Sequence, residues 1–352
     1  MHDSTLSPGV FQGRRTLSIM PTFTCPAACK ACGTLSSPTD RTQLPLRRIL
    51  DTLQEARRLG FYNVVFTGGE ATLRWNELLA ALSYARALGF PTRIVTNAHW
   101  ARSLEAARER IGELLATGLS EINYSTGDEH VRFIPLEHVV HAIVAATERG
   151  LPTHVMVELR AEREVTRERL LAHPTLAALP PSARTALQVL ESPWMPLDPE
   201  QTERYPEHVA VTAANLPLRT GCESVLQTYT LQADGRIGSC CGLGLRVIPE
   251  LNVAVAREGA DSLHEAIEAA EDDFLKLWLR YKGPEKILAW AAGHDPSIQW
   301  EGRFAHHCQA CQMVYRDPRV ARVIREHHAE IVAEVVQSAW LDERYAPSRL
   351  RR

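Results

Sequence analysis

From Thr16 to Glu191 the chain alternates short β-branched runs with longer stretches whose apolar residues recur at helical spacing. The β-rich runs predict strands at 16–22, 63–68, 92–97, 121–126, 153–159 and 186–191. Helices are expected at 46–59, 75–89, 102–117, 135–149 and 166–179. Several end at glycine (Gly60, Gly89, Gly118 and Gly150), the usual helix-stop residue. Strand–helix units of this length call for a parallel sheet with helices outside. Six of them predict an α/β fold, a partial (β/α)6 TIM-like barrel whose active site gathers at the C-terminal ends of the strands.

The alternation then stops. The segment 191–208, ESPWMPLDPEQTERYPEH, carries four prolines and reads as an irregular connection. Residues 1–190 are thus expected to form the barrel, 209–318 a small second domain, and 319–352 a terminal packing helix. The stretch 262–281 is acidic near its start and apolar on one face, as a docking helix would be.

Composition narrows the function classes. Of 352 residues, 45% are hydrophobic and 23% charged, and the net charge is -3, so neither nucleic acid nor another polyanion is the expected partner. No apolar run reaches the roughly 18 residues that span a bilayer, and the N-terminus lacks a basic region followed by an apolar stretch. A cytoplasmic protein is expected, with no membrane partner. In a reducing compartment clustered cysteines hold metal more readily than they form disulfides.

Three of the eight cysteines lie in FTCPAACKACGT, spaced C-x3-C-x2-C directly after the first strand: Cys25, Cys29 and Cys32. Four thiolates close an iron–sulfur cluster, whereas three leave one iron open to an outside ligand. A zinc site completed by a distant residue, or plain buried thiols, are the alternatives. The second strand ends in TGGEATL, where Gly68 and Gly69 let backbone approach a ligand and Glu70 can accept hydrogen bonds from an ammonium group.

This combination resembles the radical S-adenosylmethionine (SAM) enzymes over residues 16–190. The resemblance implies a [4Fe–4S] cluster on Cys25, Cys29 and Cys32, with SAM chelating the open iron. It implies that Gly68, Gly69 and Glu70 hold the amino group of SAM, and that Asn97 in VTNA lies near the cofactor. Ser125 and Asp128 in YSTGDEH would face the ribose, Asp128 being offset by one residue from the commoner pattern. Glu158 or Arg160 in VELR would meet the SAM carboxylate or the substrate. The chemistry implied is reductive cleavage of SAM to a 5′-deoxyadenosyl radical that abstracts hydrogen from an unactivated C–H bond, with an electron donor such as flavodoxin or ferredoxin.

Five cysteines follow residue 209: Cys222, Cys240, Cys241, Cys308 and Cys311. LQADGRIGSCCG resembles the hairpin of SPASM and twitch auxiliary-cluster domains, and HHCQACQ supplies a C-x2-C pair. The resemblance implies one auxiliary [4Fe–4S] cluster on Cys222, Cys240, Cys308 and Cys311. A zinc ribbon on the same four residues is the alternative, and His306 and His307 read as residues beside the metal rather than ligands. Cys241, or Cys240 if the two exchange roles, is then left over as a buried thiol or a hydrogen donor to a substrate radical.

The function expected is radical SAM maturation of a ribosomally made peptide by epimerisation, cross-linking or oxidation. Dehydrogenation or rearrangement of a small molecule is the alternative, and a redox-inert zinc-binding interaction protein a remote one. The first predicted strand begins at Thr16, so peptide recognition is expected at the barrel mouth, the second domain or another protein.

Overall fold

Strand β1 (Thr16–Ile19) is the hub of the sheet, buried on Leu17, Ser18 and Ile19 and paired on both sides. A computed structural model describes residues 15–30, 32–193, 195 and 203–345. On one side of β1 follow β2 (Asn63–Phe66), β3 (Thr92–Thr96), β4 (Glu121–Thr126), β5 (Thr153–Leu159) and β6 (Leu187–Pro193), all parallel. On the other side β7 (Thr228–Leu231) pairs in parallel with β1 in the register Thr16↔Thr228 to Ile19↔Leu231. Antiparallel β8 (Arg236–Gly238) and β9 (Asn252–Val255) then complete a nine-stranded sheet, β6-β5-β4-β3-β2-β1-β7-β8-β9.

The helical spacing produces the outer layer. α1 (Leu46–Arg58) buries Ile49, Leu53 and Ala56, and α2 (Trp75–Ala87) buries Leu78, Ala81, Leu82 and Ala85, each an i, i+3/i+4 set facing the sheet. α3 (Leu104–Ala116) follows, capped by the Ser103 hydroxyl, then a single turn α4 (Asp128–Val131) and α5 (Leu136–Thr147). The helix expected over 166–179 is instead broken into α6 (Arg167–Leu171) and α7 (Pro174–Ala177), and a further turn, α8 (Pro181–Arg184), follows. Pro174 and Pro181 lack the N–H needed to continue a helix and each sits in a first turn, where none is required.

The run 262–281 is likewise two helices, α9 (Ser262–Glu271) and α10 (Phe274–Lys282). Between them the Asp273 carboxylate accepts from the amides of Leu275 and Lys276 and starts the second. α11 (Pro284–His294), α12 (His307–Arg316), α13 (Pro318–His327) and α14 (Ala329–Tyr345) complete the chain. Residues 194 and 196–202 of the proline-rich connection, 1–14 of the expected barrel and 346–352 of the expected terminal helix lie outside the described residues. Among the described residues, no helix is long and apolar enough to cross a membrane.

Candidate active site

The C-terminal ends of β1 to β6 surround a cavity of about 300 Å³ lined by Cys25, Cys29 and Cys32 together with Gly68, Gly69, Glu70, Asn97, Ser125 and Glu158. Two ladder-like contacts set this arrangement. The Gly69 amide donates to the Thr22 carbonyl and the Glu70 amide to the Thr24 carbonyl, both at 2.9 Å, so the second strand's loop is bonded to the chain entering the cysteine loop. A Cβ on Gly69 would stand 2.3 Å from the Thr24 oxygen, and one on Gly68 2.8 Å from the Thr22 oxygen. The glycines are therefore required by the approach of two backbones, in addition to leaving room for a ligand.

Glu70 is almost fully buried and held from several sides. Its carboxylate accepts from the Thr96 hydroxyl at 2.8 Å, the Asn97 amide at 2.8 Å and the Thr72 hydroxyl at 2.5 Å. Asn97 in turn directs its side-chain amide at the Cys25 sulfur, 3.5 Å away. Burial pushes the Cys25 and Cys29 thiols up to about 12, with Glu70 adding to the first and Cys32 to the second. These thiols hold their protons until a metal displaces them.

Ser125 lines the cavity with its hydroxyl 3.1 Å from Nε2 of His130, which lines it too. Burial pushes His130 down to about 4, so at neutral pH it is an uncharged polar group facing the cavity. Gly127 precedes it at φ 146°, and a Cβ there would lie 2.2 Å from that of Glu158. Glu158 accepts from the Glu129 amide at 2.9 Å, and burial raises its carboxyl above the ordinary value.

Two expected SAM contacts are placed elsewhere. Arg160 is not among the residues lining the cavity and is paired with Glu158 and 3.8 Å from Glu129. Asp128 caps a loop instead, accepting from the Val165 amide at 2.8 Å and the Glu164 amide at 3.0 Å. Asp128→Ala should therefore cost about 1 kcal/mol of stability and leave SAM affinity unchanged, as urea titration and equilibrium dialysis of the reconstituted enzyme will show.

The five later cysteines line a second, smaller and largely apolar cavity. Cys222 is fixed by its amide donating to the Leu279 carbonyl at 2.9 Å, and Gly221 beside it is obligatory because a Cβ would fall 1.9 Å from the Arg280 oxygen. Cys240 and Cys241 follow β8, while Cys308 and Cys311 share one face of α12. Cys241 is not left aside. The neighbouring Cys240 and Cys308 thiols hold its thiol well below the ordinary value while theirs are raised. It lines the five-cysteine cavity and is absent from the lining of the first, so the placement a donor to a substrate radical needs is not observed.

Leu243 lines both cavities and separates them. The adjacent histidines divide in the same way: His306 lines the first cavity and His307 the second. His307 is anchored by Nδ1, 2.8 Å from the carboxylate of fully buried Glu285. The loop after Cys241 also grips the three-cysteine loop, through Gly244 N–H to the Gly33 carbonyl at 2.9 Å and Arg246 to the Leu35 carbonyl at 2.9 Å. Sequence reasoning missed Thr96, Gly127, His130, Leu243 and the inward placement of His306. His130 lies in the quoted YSTGDEH, but only the short helix α4 turns it back toward Ser125.

Residues 19–172 match the family model described as the Radical SAM superfamily. Native anSMEcpe with bound AdoMet is similar in fold, with a TM-score of 0.52 at 12% identity over 92% of this chain and 99% of that chain. The same protein with AdoMet and the Cp18Cys peptide gives 0.50 at 11% identity, over 92% and 98%. Streptococcus suis SuiB is 15% identical with a TM-score of 0.38 over 67% of this chain, which spans 62% of the SuiB chain.

Proposed function

We propose that this chain, whose residues 19–172 match the Radical SAM superfamily model, is a radical SAM enzyme that modifies a peptide, with the three-cysteine cavity as its reaction site and the five-cysteine cavity as the seat of one auxiliary [4Fe–4S] cluster. The observation that carries the reading is the convergence of Cys25, Cys29 and Cys32 with Gly68–Glu70, Asn97 and Ser125 on one cavity, separated by Leu243 from five further cysteines. When bound, the cluster and SAM supply an electron and a 5′-deoxyadenosyl radical able to take hydrogen from an unactivated C–H bond. The donor sets fit: three sulfurs leave one iron position for SAM, and five offer the four that a closed cluster needs.

The chain's own residues then have defined tasks. Glu70, held by Thr72, Thr96 and Asn97, presents an oriented carboxylate to the SAM ammonium group. The glycine pair keeps backbone close on that side. Ser125, with the uncharged His130 behind it, offers hydroxyl contact to the ribose. Cys222, Cys308 and Cys311, with Cys240 or Cys241, hold the auxiliary cluster. The reductant is a flavodoxin or ferredoxin of the cytoplasm. For the peptide substrate, the support is that anSMEcpe, similar in fold over most of both chains, has been solved with bound AdoMet and the Cp18Cys peptide.

Anaerobic reconstitution followed by iron and sulfide counting and a 5′-deoxyadenosine assay tests the reading. It expects about eight irons per chain and SAM cleavage under dithionite. About four irons with cleavage removes the auxiliary cluster, and no iron removes the whole assignment. Binding of candidate peptides rather than sugars to the reconstituted enzyme decides the substrate class.

A further inference from the structure

Away from both cavities, three helices bring two imidazoles and a carboxylate to one point. His294 is the last residue of α11, His327 the last of α13, and Glu330 lies in the first turn of α14. Nε2 of His294 is 3.2 Å from one Glu330 oxygen, and Nδ1 of His327 is 3.1 Å from the other. The two rings stack with centroids 4.2 Å apart, and the edge of Trp290 packs on His294 at 4.8 Å. One ligand atom from each of the three residues lies within 4.8 Å of the other two.

Two imidazole nitrogens and a carboxylate oxygen form a donor set suited to a zinc-like divalent cation. The electrostatics point the same way. Both histidines end helices of 11 and 10 residues, where the backbone dipole places partial negative charge and favours a cation. Neighbouring fixed charges are already matched, Arg322 with Asp295 at 2.6 Å and Lys282 with Glu334, so neither cation is left facing the group alone. Side-chain exposures of 26% for His294 and 52% for Glu330 leave room for water to complete the coordination.

We propose that His294, His327 and Glu330 bind one zinc-like divalent cation as its three protein ligands. Small rotations of these exposed side chains exchange the bridging carboxylate contacts for bonds to the ion. The cation would tie α11 to the junction of α13 and α14. α11 also carries Glu285, the anchor of His307, so the clamp would steady the helices that frame the five-cysteine cavity.

The test uses the fully reconstituted enzyme titrated anaerobically with zinc chloride, with zinc X-ray absorption to identify the ligands. One zinc per chain is expected beyond the iron, with nitrogen or oxygen scatterers at about 2.0–2.1 Å and no sulfur near about 2.3 Å. His327→Ala and Glu330→Gln should each weaken binding about tenfold or more with iron content unchanged. Sulfur scattering, which would mean that zinc had taken the cysteines, overturns the proposal. So does zinc affinity in both variants equal to that of the unsubstituted enzyme.

Discussion

Cys29→Ala is expected to abolish SAM cleavage and to lower the iron content by about four atoms per chain, leaving the iron of the proposed auxiliary cluster in place. The reasoning is that a cluster held by three sulfurs has none to spare. Cys25 and Cys32 line the cavity from the same loop, and among the described residues no fourth cysteine lines that cavity to replace the missing one. The variant folds, because Cys29 is only half-buried and its thiol contact to the Glu129 carbonyl is long, at 3.8 Å. Iron and sulfide counts with the 5′-deoxyadenosine assay check the result. A variant that retains full iron and cleavage would show that another residue completes the site.

The second large effect is expected at a position with no reactive group. Gly69→Ala places a methyl 2.3 Å from the Thr24 oxygen and 2.7 Å from the Phe23 carbonyl carbon. Both obstacles are backbone, so neither can swing aside as a side chain does. Either the Glu70 loop or the chain entering the cysteine loop must move, at a cost of about 1–3 kcal/mol or more. Displacing Glu70 by even a fraction of an ångström loosens its bonds to Thr96 and Asn97, so SAM binding fails along with stability. Urea titration and equilibrium dialysis with SAM should show both losses together. Gly112→Ala serves as the control. Nothing lies within 4 Å of its added Cβ and it occupies the middle of α3, so that change should stabilise by about 0.5–1 kcal/mol.

The parallel sheet was legible because each of its first six strands is a short β-branched run. Gly60, Gly89, Gly118 and Gly150, all at positive φ, stop the intervening helices where the pattern placed them. The three-cysteine loop and TGGE were legible because their chemistry is written in consecutive residues. Failures came where structure depends on partners distant in sequence. Nothing local in YSTGDEH tells that Asp128 caps residues 164–165 while His130 turns inward, since both outcomes depend on how β4 and β5 lie side by side. Pro174 was a visible signal of the broken helix over 166–179, yet the apolar spacing across it was read as continuous. Four ligands suffice for a closed cluster and leave one cysteine over, and the fold draws all five sulfurs to one cavity.

The pairing of β7 with β1 also bears on how the protein is made. Thr16–Ile19 leaves the ribosome early, yet one of its two neighbours is Thr228–Leu231, more than two hundred positions downstream. Until that neighbour is synthesised, the central strand presents an unpaired edge, the feature that recruits stray strands from other chains. The loop carrying Cys25, Cys29 and Cys32 continues directly from this edge, and its clasp at Gly244 and Arg246 emerges later still. Metal delivered to a nascent chain would therefore meet a loop without this clasp and a cavity without Leu243 and His306 in its lining.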